Sequence, residues 1–253
     1  MPMQPPVQYV LGLELPDAPP QLESVEPAAI SFGAEHEAVV VGAQVAEFSP
    51  LVAAEQKAVV ADCLLLAQLA ANKATAASPD LMAWYRSYVQ VLQGIGWTVQ
   101  SMEMEEKQVS DMDGGVHQAI VPVLTAMLGP AAAGVSMVVS VLKGLQEMNN
   151  DSPWITVFNR ASQHASGAKL QIGFVDVDPN DASAISIKLL ALALDAKRTV
   201  TQVLFFKLSK NDAKLKKAEG QLGITAARLL SIRDAVAGKV QPFLIDNISK
   251  IDI

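Results

Sequence analysis

KLQIGFVDVDPNDASAISIKLLALAL, residues 169–194, alternates apolar and polar positions on both sides of one turn signal. Alternation with a period of 2 sends successive side chains to opposite faces, so strands are expected at 169–177 and 183–194. Between them Asp178-Pro179-Asn180-Asp181 supplies a fixed φ and short side chains that bond to nearby backbone, the chemistry of a hairpin turn. So short a connection makes the two strands antiparallel. Leu189 to Leu194 is apolar on both faces, which predicts a strand covered on each side.

Working outward, the same period is read at 154–161 and 199–209, with Ser166-Gly167 and Lys197-Arg198 as further turns. Four strands in an antiparallel meander are therefore expected between 154 and 210. From Thr225 onward the spacing becomes helical, with Leu229, Ile232, Val236 and Val240 on one side until Pro242 interrupts it. In the first half, valine-rich 38–48 reads as a strand. Ser49-Pro50 places a capping residue before proline and opens a helix to about Ala74. Ser78-Pro79-Asp80 repeats the signal for a helix carrying Leu81, Trp84, Tyr88 and Val91 on one face and closing at Gly94 or Gly96, and 97–104 alternates as a strand. Seven of the 14 prolines lie in the first 27 residues, where they argue against helix and for an extended arm.

The fold class that follows is α+β, divided as a proline-rich extended arm at 1–36, a mainly helical region at 37–150, and an antiparallel sheet with a closing helix at 151–253 that can form one compact domain with the helical region.

One stretch breaks the pattern. Gly114 to Leu142 carries no formal charge. Gly129-Pro130 divides it, because proline removes a helical hydrogen bond and disfavours helix in the residue before it, so two helices in an apolar hairpin over 116–143 are expected. Each half is only about 20 Å long, short of a hydrocarbon core of about 30 Å, which argues against a constitutive membrane anchor. Two readings stay open: a hairpin buried in the core, or one that leaves it and inserts into lipid. Insertion would be carried by Ile120, Val123, Leu124, Leu128, Gly129, Pro130, Val135, Val138, Val139 and Leu142. Lys207, Lys210, Lys214, Lys216 and Lys217 are the densest basic cluster and would meet anionic headgroups, each worth about 1 kcal/mol; the alternative is a solvated surface.

The 253 residues include 51% hydrophobic and 18% charged residues, and mean hydropathy is +0.27, a composition far from disorder. The net charge of −7 is unevenly shared: residues 1–118 hold 15 acids and 4 bases, a balance of −11, and 119–253 hold 11 acids and 15 bases, a balance of +4. The two parts should attract, by docking within one chain or by self-association head to tail. The basic excess is too small and too poor in arginine for nucleic acid. The single Cys63 closes no intramolecular disulfide and sits among leucines, where a buried small hydrophobe is expected rather than a thiolate. The start lacks the basic and apolar regions of a secretory signal, so the expected location is cytoplasmic, or outside by a route needing no such signal.

No phosphate-binding glycine loop, zinc-protease helix, nucleophile elbow or paired C-x-x-C motif occurs. His36, His117 and His164 are scattered. Asp176 to Asp181 begins like a calcium loop, but Asp181 stands where glycine is required and Ile187 where a carboxylate is. No catalytic, metal or cofactor-binding residue is assigned, and no cofactor is expected. The combination of a helical part, an apolar hairpin that can hide in a soluble fold, and an antiparallel sheet resembles the design of proteins that pass from soluble to membrane-bound, some bacterial pore-forming toxins among them. That resemblance is one of architecture and implies a non-enzymatic, membrane-active protein. The alternative is a protein–protein interaction or structural protein whose hairpin stays buried.

Overall fold

Two strands form where the alternation predicts them, β5 (Gly167–Asp178) and β6 (Asp181–Asp195), paired antiparallel with Val175 opposite Ile187 and Ile172 opposite Leu190. The computed structural model describes residues 4–18, 31–78, 80–108, 153–164, 167–178, 180–195 and 214–251. Between these it also describes helical positions at 121, 122, 124–126, 136, 139, 140 and 143. At the hairpin tip Asn180 N donates to Asp178 Oδ1 (2.8 Å) and Ser183 N to Asp181 Oδ1 (2.9 Å). These are the side-chain bonds for which Asp is favoured in turns.

The remaining strands are β1 (Glu37–Val41), β2 (Gln44–Phe48), β3 (Thr98–Gln108), the two-residue β4 (Gln163–His164), β7 (Lys214–Thr225) and β8 (Ile248–Lys250). Among the described residues these eight strands make one mixed sheet, seven of them in the order β3-β7-β6-β5-β2-β1-β8, with β4 off that path and paired to β5. Helices are α1 (Pro6–Gly12), α2 (Ala54–Ala74), α3 (Leu81–Gly94), α4 (Pro153–Ser162), α5 (Ala226–Ser231), α6 (Arg233–Val240) and α7 (Leu244–Asn247), with a 3-10 turn at Gln241–Phe243. The chain is thus α+β. Of the four strands expected in a meander, those at 169–177 and 183–194 pair antiparallel as β5 and β6; β7 joins β6 antiparallel from outside the expected set, and β2 runs parallel to β5, so the sheet draws on both halves of the chain.

Several expectations are corrected. Residues 154–161 form α4 and not a strand. Pro153 starts it, where its missing N–H costs nothing, and Ile155, Phe158 and Ser162 are buried at helical spacing. The single strand expected at 38–48 is a hairpin. Gly42, with φ of 55°, supplies the left-handed turn, and buried Gln68 stitches it, accepting from Ala43 N (2.9 Å) and donating to Val41 O (2.7 Å). Within the arm, Pro6–Gly12 is helical because Pro5 and Pro6 occupy the cap and first turn, and Val10 is fully buried. Strand β7 lies where none was expected, and the strand expected at 199–209 lies outside the described residues.

The helices at 50–74 and 78–94 form, with the first starting later, at Ala54, where the Gln56 side chain accepts from Ala53 N (3.1 Å). Asp80 caps α3 by accepting from Met82 N (2.9 Å). Helices α2 and α3, with parts of α1, α5 and α6, cover one face of the sheet. That core joins Leu64, Leu65, Leu66, Tyr88 and Leu92 to Phe48, Val175, Ile187, Leu189 and Leu222. Each fully buried leucine contributes roughly 1.5–3 kcal/mol. On the opposite face Val40, Val45, Ile172 and Leu190 form one buried row across four strands, and α4 packs against β1, β5 and β8.

Candidate functional site

Of the insertion candidates, Leu124 and Val139 are described, both helical, with Leu124 fully buried and Val139 half-buried. Neighbouring Pro122, Ala126, Ser136 and Lys143 are exposed, and Thr125 Oγ1 donates to Val121 O (2.8 Å). Ile120, Val123, Leu128, Gly129, Pro130, Val135, Val138 and Leu142 lie outside the described residues, as does the break expected at Gly129-Pro130. Among the described residues no helix is long and apolar enough to cross a membrane.

Three of the five headgroup candidates fall on β7. Its register with β3 sets Lys217 opposite Glu105, Lys216 opposite Glu106 and Lys214 opposite Gln108. Lys217 Nζ also lies 2.5 Å from Glu219 Oε1, and Lys216 Nζ 3.9 Å from Asp80 Oδ1. The acidic first half and basic second half therefore meet as adjacent strands, where opposite charges attract by roughly 0.2–1 kcal/mol a pair. Lys207 and Lys210 are outside the described residues.

A different site is assembled at the end of the sheet, where the starts of β3 and α5, the end of β7 and the β5–β6 turn surround an open bowl of about 460 Å³. Its wall carries Thr98, Gln100, Asp178, Asn180, Asp181, Thr225 and Arg228. Gln100 is an extra residue in β3, since Val99 pairs with Leu222 and Ser101 with Gln221. Such a bulge re-aims its side chain, and Gln100 Nε2 reaches Asp178 Oδ2 at 3.1 Å. A second register shift falls at Asp178 itself. Two glycines make the room: a Cβ on Gly223 would lie 2.7 Å from Gln100 Nε2, and one on Gly96, whose φ is 113°, would lie 2.8 Å from Arg228 Nε. Hydrogen bonds from Asn180 N and then Gln100 hold the Asp178 carboxyl below its usual range, and those from Ser183 do the same for Asp181. Arg228 is exposed, and its guanidinium makes no hydrogen bond or ion pair among the described residues. In the sequence 176–181 reads as a turn that begins like a calcium loop, and no motif points to Gln100 or Arg228, whose one local signal is the nearby glycines at 96 and 223.

A second polar cluster lies between sheet and helices. Lys169 Nζ on β5 donates to Asn72 Oδ1 (2.7 Å), which also accepts from Trp84 Nε1 (2.7 Å), and the ammonium sits 4.0 Å from the centre of the Trp84 ring. Burial pushes this lysine down to about 7. Burial also lifts Asp62 to about 6 and pushes the Cys63 thiol up. The opposite effect of one cause follows from which protonation state carries the charge. His36 Nδ1 lies 2.7 Å from Glu47 Oε1. Among the described residues no group of three His, Cys, Asp or Glu side chains is placed to hold a metal ion.

No protein-family model matches the chain, and no curated protein matches it. Among solved structures it is similar to a protein described as a delta-endotoxin, at 13% identity and a TM-score of 0.37, covering 86% of this chain and 96% of that one. It is similar to the activated Cyt2Ba monomer of Bacillus thuringiensis subsp. israelensis at 14% identity and a TM-score of 0.31, covering 56% and 79%. It is also similar to the Evf virulence factor at 13% identity and a TM-score of 0.36, covering 97% and 90%. Likeness this slight assigns no function.

Proposed function

We propose that the chain is a non-enzymatic, membrane-active protein of pore-forming or toxin-like kind, in which the apolar segment 116–143 leaves a soluble fold and enters lipid. The observation that supports this reading is the setting of that segment. Gly114 to Leu142 is charge-free, yet Pro122, Ala126 and Ser136 within it are exposed while Leu124 is buried. Charge-free positions that face solvent would enter lipid without the cost that a charged residue meets there. Strands β5, β6, β7 and β3, of 12, 15, 12 and 11 residues, also reach the roughly 9–11 residues with which a tilted strand crosses a bilayer.

The test is a Cys63→Ala protein carrying Ser136→Cys labelled with an environment-sensitive fluorophore. On vesicles of mixed zwitterionic and anionic lipid, flotation with the protein, a blue-shifted emission and quenching by spin-labelled acyl chains are expected. Absence of flotation at every pH and composition, or a label that stays in water on floated protein, would sink the reading.

The second reading, a protein–protein interaction module with the segment permanently buried, is favoured by β3. Among the described residues this edge strand pairs only with β7, and it presents exposed Ser101, Glu103 and Met104, as strand-adding partners require. Light scattering with a pull-down from cell extract tests it, and a strict monomer retaining no partner would count against it.

A further inference from the structure

We propose that the bowl between β3, β7, the β5–β6 turn and α5 binds a neutral polyhydroxyl ligand, a sugar residue, through Gln100, Asp178, Asp181 and Arg228. The bowl is a built feature. Both register shifts among the described strands fall on it, at Gln100 and Asp178, and these two side chains bond to each other at 3.1 Å. Glycines at 96 and 223 hold open the space that the Arg228 and Gln100 side chains cross. Irregular pairing and missing side chains both cost stability in a sheet, and bulges gather beside binding sites.

The mixture of groups selects the ligand class. An anion drawn to Arg228 would face the ionised Asp178 and Asp181, and a cation drawn to those acids would face Arg228. A neutral polyol suffers neither repulsion. Its hydroxyls donate to the carboxylates and accept from the guanidinium, forming the charge-assisted bonds that are the stronger kind. The Asp178 carboxylate is already fixed by Gln100 and Asn180, so little ordering cost remains at binding. The volume of about 460 Å³ falls within the range of small-molecule sites. This inference stands apart from membrane insertion, because sugar binding is read in solution without lipid.

Saturation-transfer NMR on the full chain would use methyl α-mannoside, methyl α-glucoside, methyl β-galactoside and N-acetylglucosamine, with inorganic phosphate and phosphoethanolamine as charged arms. Transfer to at least one neutral sugar is expected, with a Kd on the order of 1 mM for so open a site. Arg228→Ala and Gln100→Ala should each weaken it about tenfold, a loss of about 1.4 kcal/mol, and Arg228→Lys should restore part of the loss. Arg228→Ala should move the urea midpoint little, since the guanidinium makes no hydrogen bond or ion pair among the described residues and its stem packs over Gly96 at the rim; a tenfold loss of binding with a nearly unchanged midpoint separates binding from structure. Immobilised oligosaccharides ending in the same sugar, if retained, assign the source to a glycan, while binding of the free glycoside alone assigns it to a soluble sugar. The proposal is overturned by transfer to no neutral sugar, by binding that survives both alanine variants, or by binding of phosphate or phosphoethanolamine in place of the sugars.

Discussion

Replacing Lys169 by Met should invert its effect on stability with pH. The ammonium is nearly excluded from solvent, with Asn72 Oδ1 and the Trp84 ring as its partners, and burial moves its pKa from 10.5 to about 7. Between those values the unfolded chain binds a proton that the folded chain refuses. Stability therefore rises as pH climbs through the window, and below pH 7 the whole penalty is carried. That displacement corresponds to roughly 5 kcal/mol. Attraction between the charged amine and Trp84 returns about 1–2 kcal/mol, leaving about 3–4 kcal/mol. Methionine keeps most of the aliphatic bulk and removes the charge. Near pH 10.5 it should be less stable than lysine by about 1 kcal/mol for the lost hydrogen bond; at pH 6 it should be more stable by about 2–3 kcal/mol. Urea unfolding of both proteins by far-ultraviolet circular dichroism at pH 6, 7, 8, 9 and 10 measures the difference. A difference that stays constant within about 0.5 kcal/mol over that range would refute this reading, because it would mean that the amine is solvated and keeps its ordinary pKa in the folded chain.

Asp62 runs the other way: burial raises it from 3.8 to about 6, so its cost develops as pH rises from 4 to 6 and is complete above 6. Asp62→Asn should stabilise the fold at pH 8 by about 2–3 kcal/mol and have little effect at pH 3.5, checked by urea midpoints at both. Gln68→Leu leaves Val41 O and Ala43 N without the partner that spans the β1–β2 turn and should cost about 2–4 kcal/mol, read as a lowered Tm. Reversing Lys216 and Lys217 to Glu should destabilise the β3–β7 pair by about 1 kcal/mol. Adding Glu105→Lys and Glu106→Lys should restore most of it in a double-mutant cycle, since the register opposes those positions.

What sequence reading caught and missed divides by the range of the forces involved. β5 and β6 were legible because each is flanked by apolar layers, and Asp178 and Asp181 act on backbone two residues away. The helix after Asp80 was legible for the same local reason. Residues 154–161 were not, because WITVFNRA satisfies short strand and helix periods alike, and its packing against β1, β5 and β8 settles the matter. β7 was missed because KLKKAEGQLGIT carries two glycines and four charges, a poor strand by propensity. It becomes one by pairing with β6 on one side and acidic β3 on the other.

By itself, the order of residues determined the class of fold, the β5–β6 hairpin, the two long helices and the opposition of charge between the halves. These rest on periodicity, capping and turn chemistry, which act within a few residues. Only the tertiary structure decided that β2 runs parallel beside β5, that the acidic and basic segments become neighbouring strands, and that Gln100, Asp178 and Arg228 share one bowl. Residues 100, 178 and 228 are separated by 78 and 50 positions, and no local preference spans such distances. They are brought together by the burial of two sheet faces, a force that depends on total apolar area and carries no record of which polar side chains it gathers at the rim.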